Sequence, residues 1–365
     1  LAPHEFALMD MLFSNSEAFL SRLQPGYETC RYVFFPGCQA GAIAPDVVMQ
    51  AYEDLSNRVA GGVALMLGCC GAISEWAGRY EMTEKVNEQL KQELARLGDP
   101  IIIAGCPSCM KQLKESIGAH VIGIWEILRE IGLPQQAKGL EIPVAIHDAC
   151  GARGDAQTQD MIRQLLSDMG CIVEDTEYSR DLSPCCGYGG LTAYANKDMA
   201  AKMTEKCLER SDSPYITYCM ACRDRFVREG RESRHILELL YGINAANMPD
   251  ISEKRYNRLI LKQTLLKNIW NEEPIMEKKD YTVAYTEEAI HMMDERMILK
   301  SDVERVLSDY RENQEAILDE ETKELVTRSR LGNVTFWVRF VETEDGYLVH
   351  RAYSHRMNIM KRVGQ

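Results

Sequence analysis

The stretch PIIIAGCPSCMKQLK, Pro100 to Lys114, passes from an apolar run through a C-x-x-C pair into a helical pattern. PYITYCMACRDRFV, Pro214 to Val227, repeats the same order. Working outward from these two segments, ten of the thirteen cysteines fall into two matching sets. The first is Cys38, then Cys69 and Cys70 closed by Gly71, then Cys106 and Cys109. The second is Cys150, then Cys185 and Cys186 closed by Gly187, then Cys219 and Cys222. The offsets are 112 residues from Cys38 to Cys150, 116 from Cys69 to Cys185 and 113 from Cys106 to Cys219. A near-constant period over three landmarks indicates an internal duplication. Cys30, Cys171 and Cys207 have no counterparts and read as buried small hydrophobes.

The flanks repeat too. RYVFFPGCQ (Arg31 to Gln39) and PVAIHDACG (Pro143 to Gly151) are apolar runs that end in the lone cysteine, and each precedes a helical pattern. This alternation of strand and helix predicts an α/β fold: two duplicated, Rossmann-like, cysteine-rich halves with parallel sheets. In such sheets ligands bind beyond the carboxyl ends of the strands, which is where the cysteines gather. The expected divisions are a helical extension over 1–29, cysteine-rich halves over 30–140 and 141–245, a helix and linker over 246–280, and a small α+β domain over 281–365. Within 252–271 the pattern places Tyr256, Leu259, Ile260, Leu266 and Ile269 near one helix face. In the last segment it predicts two short helices and a hairpin turning at Glu344-Asp345-Gly346. His291 and Arg296 lie there without a visible catalytic constellation.

At 365 residues, 45% hydrophobic and 27% charged, the composition is that of a globular chain long enough for two or three cores. A net charge of −13 argues against nucleic-acid binding. No apolar run reaches the roughly 18 residues that a membrane span needs, so no membrane insertion is expected. No secretion-signal pattern opens the chain, and a cytoplasmic location is expected. The chain begins on Leu1, which leaves room for it to be part of a longer polypeptide.

In a reducing compartment, thirteen cysteines read as metal or redox groups rather than structural disulfides. Thiolates suit iron–sulfur clusters, zinc and copper(I). A structural zinc needs four ligands and each half offers five. Adjacent cysteines sit poorly on one small tetrahedral ion and better on different irons of an extended cluster. The glycine that follows them permits a tight turn, and helix-start amides can donate to the sulfurs. Zinc in either half, or a thioredoxin-type dithiol at the C-x-x-C pairs, are the competing readings.

The two cysteine patterns, with FFPGCQAG, HDACGARGD and CCGYGG around them, resemble the CCG cysteine-rich domain of the heterodisulfide reductase B-subunit family, over about Arg31 to Tyr241. The resemblance implies one noncubane [4Fe–4S] cluster on Cys38, Cys69, Cys70, Cys106 and Cys109. It implies a second on Cys150, Cys185, Cys186, Cys219 and Cys222, with a small disulfide or other redox substrate split between them. The implied partner is a flavoprotein (FAD, NAD(P)H-linked) or a ferredoxin-type donor. The chain itself is expected to bind no flavin or nicotinamide, since Gly187, Gly189 and Gly190 do not complete a G-x-G-x-x-G after a strand. An electron-relay subunit is the alternative from another class. His147 and Asp148 are candidate proton donors beside Cys150, and Arg153 a candidate anion-binding group. The competing readings are a hydrogen-bonded strand-end histidine, a turn-capping aspartate and an Arg153–Asp155 surface pair. His235 reads as a helix-start residue.

Overall fold

The computed structural model describes residues 3–243, 248–273, 280–331 and 334–355. The chain divides into two compact units: Ala7–Pro249 with Lys254–Pro274, and Leu1–Phe6 with Asp250–Glu253 and Ile275–Gln365.

The larger unit holds both cysteine-rich halves. In the first half the strands are β1 (Leu20–Arg22), β2 (Tyr32–Phe35), β3 (Val63–Leu67), β4 (Ile101–Ala104) and β5 (Val121–Gly123). They are ordered β1-β3-β2-β4-β5, and all neighbours are parallel except β1 against β3. In the second half β6 (Val144–His147), β7 (Val173–Asp175), β8 (Tyr215–Thr217) and β9 (Ser233–His235) form an all-parallel sheet ordered β7-β6-β8-β9. Leaving β1 aside, the two orders coincide. The duplication read from the cysteine spacing is a duplication of topology.

Strands β2 and β3 are buried at every position, as expected for sheets covered on both faces. Tyr52, Leu55, Ile102, Ile103, Trp125, Ile146, Ile216 and Phe226 fill the space between sheets and helices. The segment expected to be a helical extension does more than that: after the helix Pro3–Ser14, Leu20–Arg22 pairs with β3 and closes one edge of the first sheet. Leu20 is buried in this pairing, and an edge that would otherwise present unpaired backbone groups is covered.

The helix Ile251–Trp270 turns a different face inward from the one its apolar residues suggest. Arg258, Leu261 and Leu265 are buried, Leu266 and Ile269 pack at the margin, and Tyr256 is 58% exposed. Apolar residues occur all round this helix, so periodicity alone selects no face; the buried acceptors that Arg258 satisfies do.

In the smaller unit β10 (Thr282–Tyr285), β11 (Ile317–Leu318), β12 (Leu325–Leu331), β13 (Val334–Thr343) and β14 (Gly346–His355) form a sheet ordered β10-β14-β13-β12-β11. Glu287–Arg296 and Lys300–Asn313 are its helices. The expected hairpin is present, with Thr343 opposite Gly346. Strands β10 to β12 had no clear sequence signal: β10 and β11 are only four and two residues long, and β12 carries two arginines and few apolar residues. Residues 274–279 of the expected linker lie outside the described residues.

Candidate metal centre

Eight of the ten cysteines lie at a strand-to-helix junction or in the first turn of the helix that follows, whereas Cys185 and Cys186 lie in a loop between the 3-10 turns Arg180–Leu182 and Gly189–Leu191. Cys106 and Cys219 each precede a helix, Pro107–Ile117 and Met220–Arg228. Cys38 opens the helix Cys38–Ile43, and Gly71, in the left-handed conformation, closes the first pair ahead of Ala72–Trp76. Helix starts present unpaired amides and a partial positive charge, which favour thiolate. The Gly187 amide donates to the Cys185 sulfur at 3.4 Å. Gly187 has a φ of +91°, and a Cβ there would stand 2.5 Å from the Ala200 carbonyl oxygen, so only glycine fits.

The halves meet through these same elements. The helix Pro107–Ile117 packs on the turn Cys150–Ala152, and the helix Met220–Arg228 packs on Cys38–Ile43. Each C-x-x-C helix therefore lies against the lone cysteine of the other half. The approach is close: a Cβ on Gly151 would come within 2.7 Å of the Ser108 amide nitrogen.

All ten sulfurs join one string of thiol-to-thiol contacts. It runs Cys38, Cys69, Cys70, Cys109, Cys106, then crosses to Cys219, Cys222, Cys186, Cys185 and Cys150. All thirteen cysteines are free thiols. Hydrogen bonds from Cys109 and Cys69 draw the Cys70 thiol down to about 6. Bonds from Cys109 and Cys219 lower Cys106, and bonds from Cys150 and Cys186 lower Cys185. Cys38, Cys109, Cys150 and Cys222 move in the opposite direction, raised first by their sulfur neighbours and then by burial. Ten thiolates this close cannot coexist in a buried site without cationic compensation.

The donor set fits a multi-metal group. Among the described residues no three or more ligating side chains surround a single point that could hold one ion. The sulfurs form a string, and a string suits several soft metal atoms that each take a few thiolates. Binding would release the protons that the raised thiols hold.

A cavity of about 70 Å³ opens among the first-set thiols. Its walls include the five thiols of the first half, Cys219, Ile73, Trp76, Tyr188 and Met220. Deeper in the first half, buried Arg258 donates to the Cys38 carbonyl at 3.0 Å and to Asp10 at 2.8 Å. Arg255 also pairs with Asp10, and the Asp10 carboxyl is held below its ordinary value against the pull of burial. Sequence reasoning missed Asp10, Tyr188 and Arg258; the contact between Asp10 and Arg258 spans 248 residues and leaves no local signal.

The other candidates are placed as follows. Asp148 is fully buried and accepts from Arg163 at 2.8 and 3.0 Å, the Arg180 amide at 2.6 Å and the Tyr218 hydroxyl at 2.9 Å. Burial opposes ionisation, yet these donors keep the carboxyl below its ordinary value. With Ser183 donating to its carbonyl oxygen, Asp148 ties down the loop that leads to Cys185. Burial lowers His147 to about 4, so it is neutral at pH 7, with its ring edge-on to Phe226. Arg153 is exposed and donates to the Ser183 carbonyl at 2.7 Å, while Asp155 caps the helix Ala156–Asp168. His235 caps the helix Ile236–Leu240, with Nδ1 accepting from the Leu237 amide. His291 is exposed beside Glu295, and Arg296 is exposed. Cys30, Cys171 and Cys207 are buried outside the string.

The family described as Cysteine-rich domain, CCG, matches residues 32–114 and 144–226. Each of these two stretches is similar to a CCG cysteine-rich domain. No curated relative matches the chain. CCG domains point to iron–sulfur redox chemistry, in agreement with an all-sulfur donor set. Among the described residues no helix is long and apolar enough to cross a membrane.

Proposed function

We propose that the chain is a cytoplasmic iron–sulfur oxidoreductase subunit, similar to the heterodisulfide reductase B-subunit. In this reading it carries two noncubane [4Fe–4S] clusters, one per CCG domain, and reduces a small disulfide with electrons from a flavoprotein or ferredoxin-type donor. The observation that carries the reading is the string of ten thiols that passes from one domain to the other at Cys106 and Cys219.

Each cluster, when bound, would supply one of the two electrons that cleavage of an S–S bond needs. The balance is R–S–S–R plus two electrons plus two protons giving two R–SH, with the electrons from the donor protein and the protons from water. The chain's own residues do the rest. Cys38, Cys69, Cys70, Cys106 and Cys109 would hold one cluster, and Cys150, Cys185, Cys186, Cys219 and Cys222 the other. Amides at Gly187 and the other helix starts stabilise the sulfurs as thiolates. Asp148 and Arg258 fix the loops from which the ligands project. His147, neutral and buried, shapes the wall behind Cys185 rather than giving up a proton at pH 7.

The alternative is an electron relay with no substrate of its own. The cavity walled by Cys38, Cys69, Cys70, Cys106 and Cys109 is the space a cluster would fill in either reading, so experiment separates the two. Anaerobic reconstitution, an iron and sulfide assay and a visible spectrum test the clusters; turnover of small disulfides with a low-potential donor tests the reductase. Iron without turnover leaves the relay. A colourless protein that holds zinc refutes both.

A further inference from the structure

We infer that Tyr188, a residue of the second domain, donates a hydrogen bond to the first metal group and makes that group the higher of the two in reduction potential; this rests on the reading of the ten thiols as ligands of two iron–sulfur groups. Tyr188 follows Cys186 and Gly187 in the chain, yet it stands in the wall of the cavity formed by the first set of thiols. The turn Gly189–Leu191 packs on the helix Ala72–Trp76, which follows the first cysteine pair, and Tyr188 lies within electrostatic reach of Cys38 and Asp10. The Tyr194 ring meets Tyr188 edge-on with centroids 6.0 Å apart, and the two hydroxyls are 3.5 Å apart. A phenol hydroxyl both donates and accepts, so donation from Tyr194 leaves the Tyr188 proton for a sulfur acceptor.

The repeat shows that this wall belongs to one site only. Apart from the thiols and the Trp76 indole, its polar side chains are Gln39, Ser108 and Tyr188. Aligned on the cysteines, Gln39 after Cys38 corresponds to Gly151 after Cys150, and Ser108 before Cys109 to Ala221 before Cys222. Tyr188, two residues beyond Cys186, corresponds to Ala72, two beyond Cys70. None of these three counterparts carries a polar side-chain atom. Backbone amides serve both sets, from Ala72 to Cys70 and from Gly187 to Cys185, so they do not separate the two. Reduction adds negative charge to the sulfurs of an iron–sulfur group, and a donated hydrogen bond is stronger to the more negative acceptor. A hydroxyl donor therefore favours the reduced state and raises the potential of the group it serves.

Redox titration of the reconstituted chain, followed by visible and electron paramagnetic resonance spectra, tests this. Each variant is first brought to the parent's iron and sulfide content, except Cys69→Ala, which loses a set of ligands. We expect two potentials, the higher of them absent from Cys69→Ala. Tyr188→Phe keeps the ring and removes only the hydroxyl oxygen. It should lower the higher potential by about 59 mV, a tenfold change in the oxidised-to-reduced ratio of a one-electron couple, and leave the lower one in place. Tyr194→Phe should shift the same potential in the same direction by less. Two like potentials, a higher potential that survives in Cys69→Ala, or parental potentials in Tyr188→Phe overturns the inference while the iron–sulfur reading stands. A chain that takes up no iron refutes that reading, and the inference with it.

Discussion

The two CCG domains share strand order and ligand spacing, yet their surroundings differ. In the first domain β3 is buried at every position, with β1 added outside it; in the second, β7 is the sheet edge and two of its three residues are exposed. The first lone cysteine is backed by Arg258 and Asp10, which both lie outside the repeat. The second is backed by Asp148 and Arg163 from within it. Strand ends diverge as well. Where β2 ends on Phe35, β6 ends on His147; where β5 ends on Gly123, β9 ends on His235. Duplication supplied the same sulfurs twice; segments outside the repeat and substitutions within it gave the two sites different electrostatics.

The largest expected effect separates the domains outright. Cys69→Ala should lower iron and sulfide per chain by roughly half, as should Cys185→Ala, and the double variant should hold almost none, since ligand loss removes the binding free energy of a whole centre. Loss of all iron in either single variant would show that the string acts as one unit rather than two.

Next come the buried ion pairs. Asp148→Ala takes an acceptor from the Arg163 guanidinium and the Tyr218 hydroxyl and should cost about 3–5 kcal/mol in denaturant unfolding. Arg258→Met, which leaves Asp10 only its longer pair with Arg255, should cost less. Pairing Arg258→Met with Asp10→Leu should recover part of that loss, Arg255 being left without its carboxylate. With clusters loaded, Arg258→Met should also lower the reduction potential of one centre and leave the other unchanged, read by redox titration.

A smaller effect is the pH dependence that two buried histidines of the second domain add. His147 and His235 are each lowered to about 4 by burial. The unfolded chain binds protons at these sites near pH 6.5 and the folded chain does not. Their contribution to stability is therefore complete above about 6.5 and is lost as pH falls toward 4, by about 3 kcal/mol for His147. His147→Phe, which copies the first domain's Phe35, should flatten that slope in unfolding curves taken between pH 7 and 4.5.

The smallest effect compares the two glycines after the paired cysteines. Gly187→Ala forces a Cβ to within 2.5 Å of a backbone oxygen, whereas Gly71→Ala meets the Val86 side chain at 3.2 Å. Both carry the cost of positive φ, about 1–2 kcal/mol, and the second-domain variant should lose more on top of it. Matching losses in thermal unfolding would show that the Ala200 backbone yields as readily as a side chain.

Much of this was legible beforehand because it is periodic. Strand, cysteine turn and helix recur at a near-constant offset, and each C-x-x-C follows an apolar run, so two α/β halves with parallel sheets and the ten cysteines gathered between them could be read along the chain. Where apolar residues lay all round a helix, as between Ile251 and Trp270, the pattern could not choose a face, and Tyr256 was given the inward place that Arg258 holds. The roles of Asp148 and Arg153 were equally open, because partners of a carboxylate or guanidinium are not encoded in its neighbours.

By itself, then, the order of residues determined the repeat, the strand-to-helix handovers and the clustering of sulfur at their junctions, since all of these arise from contacts within some forty residues. Only the tertiary structure decided that the two sulfur sets join at Cys106 and Cys219, that a cavity opens among the first-set thiols, and that Asp10 and Arg258 stand behind Cys38. Those relations depend on packing between segments up to 248 residues apart, and burial, not sequence proximity, selects which charges must pair.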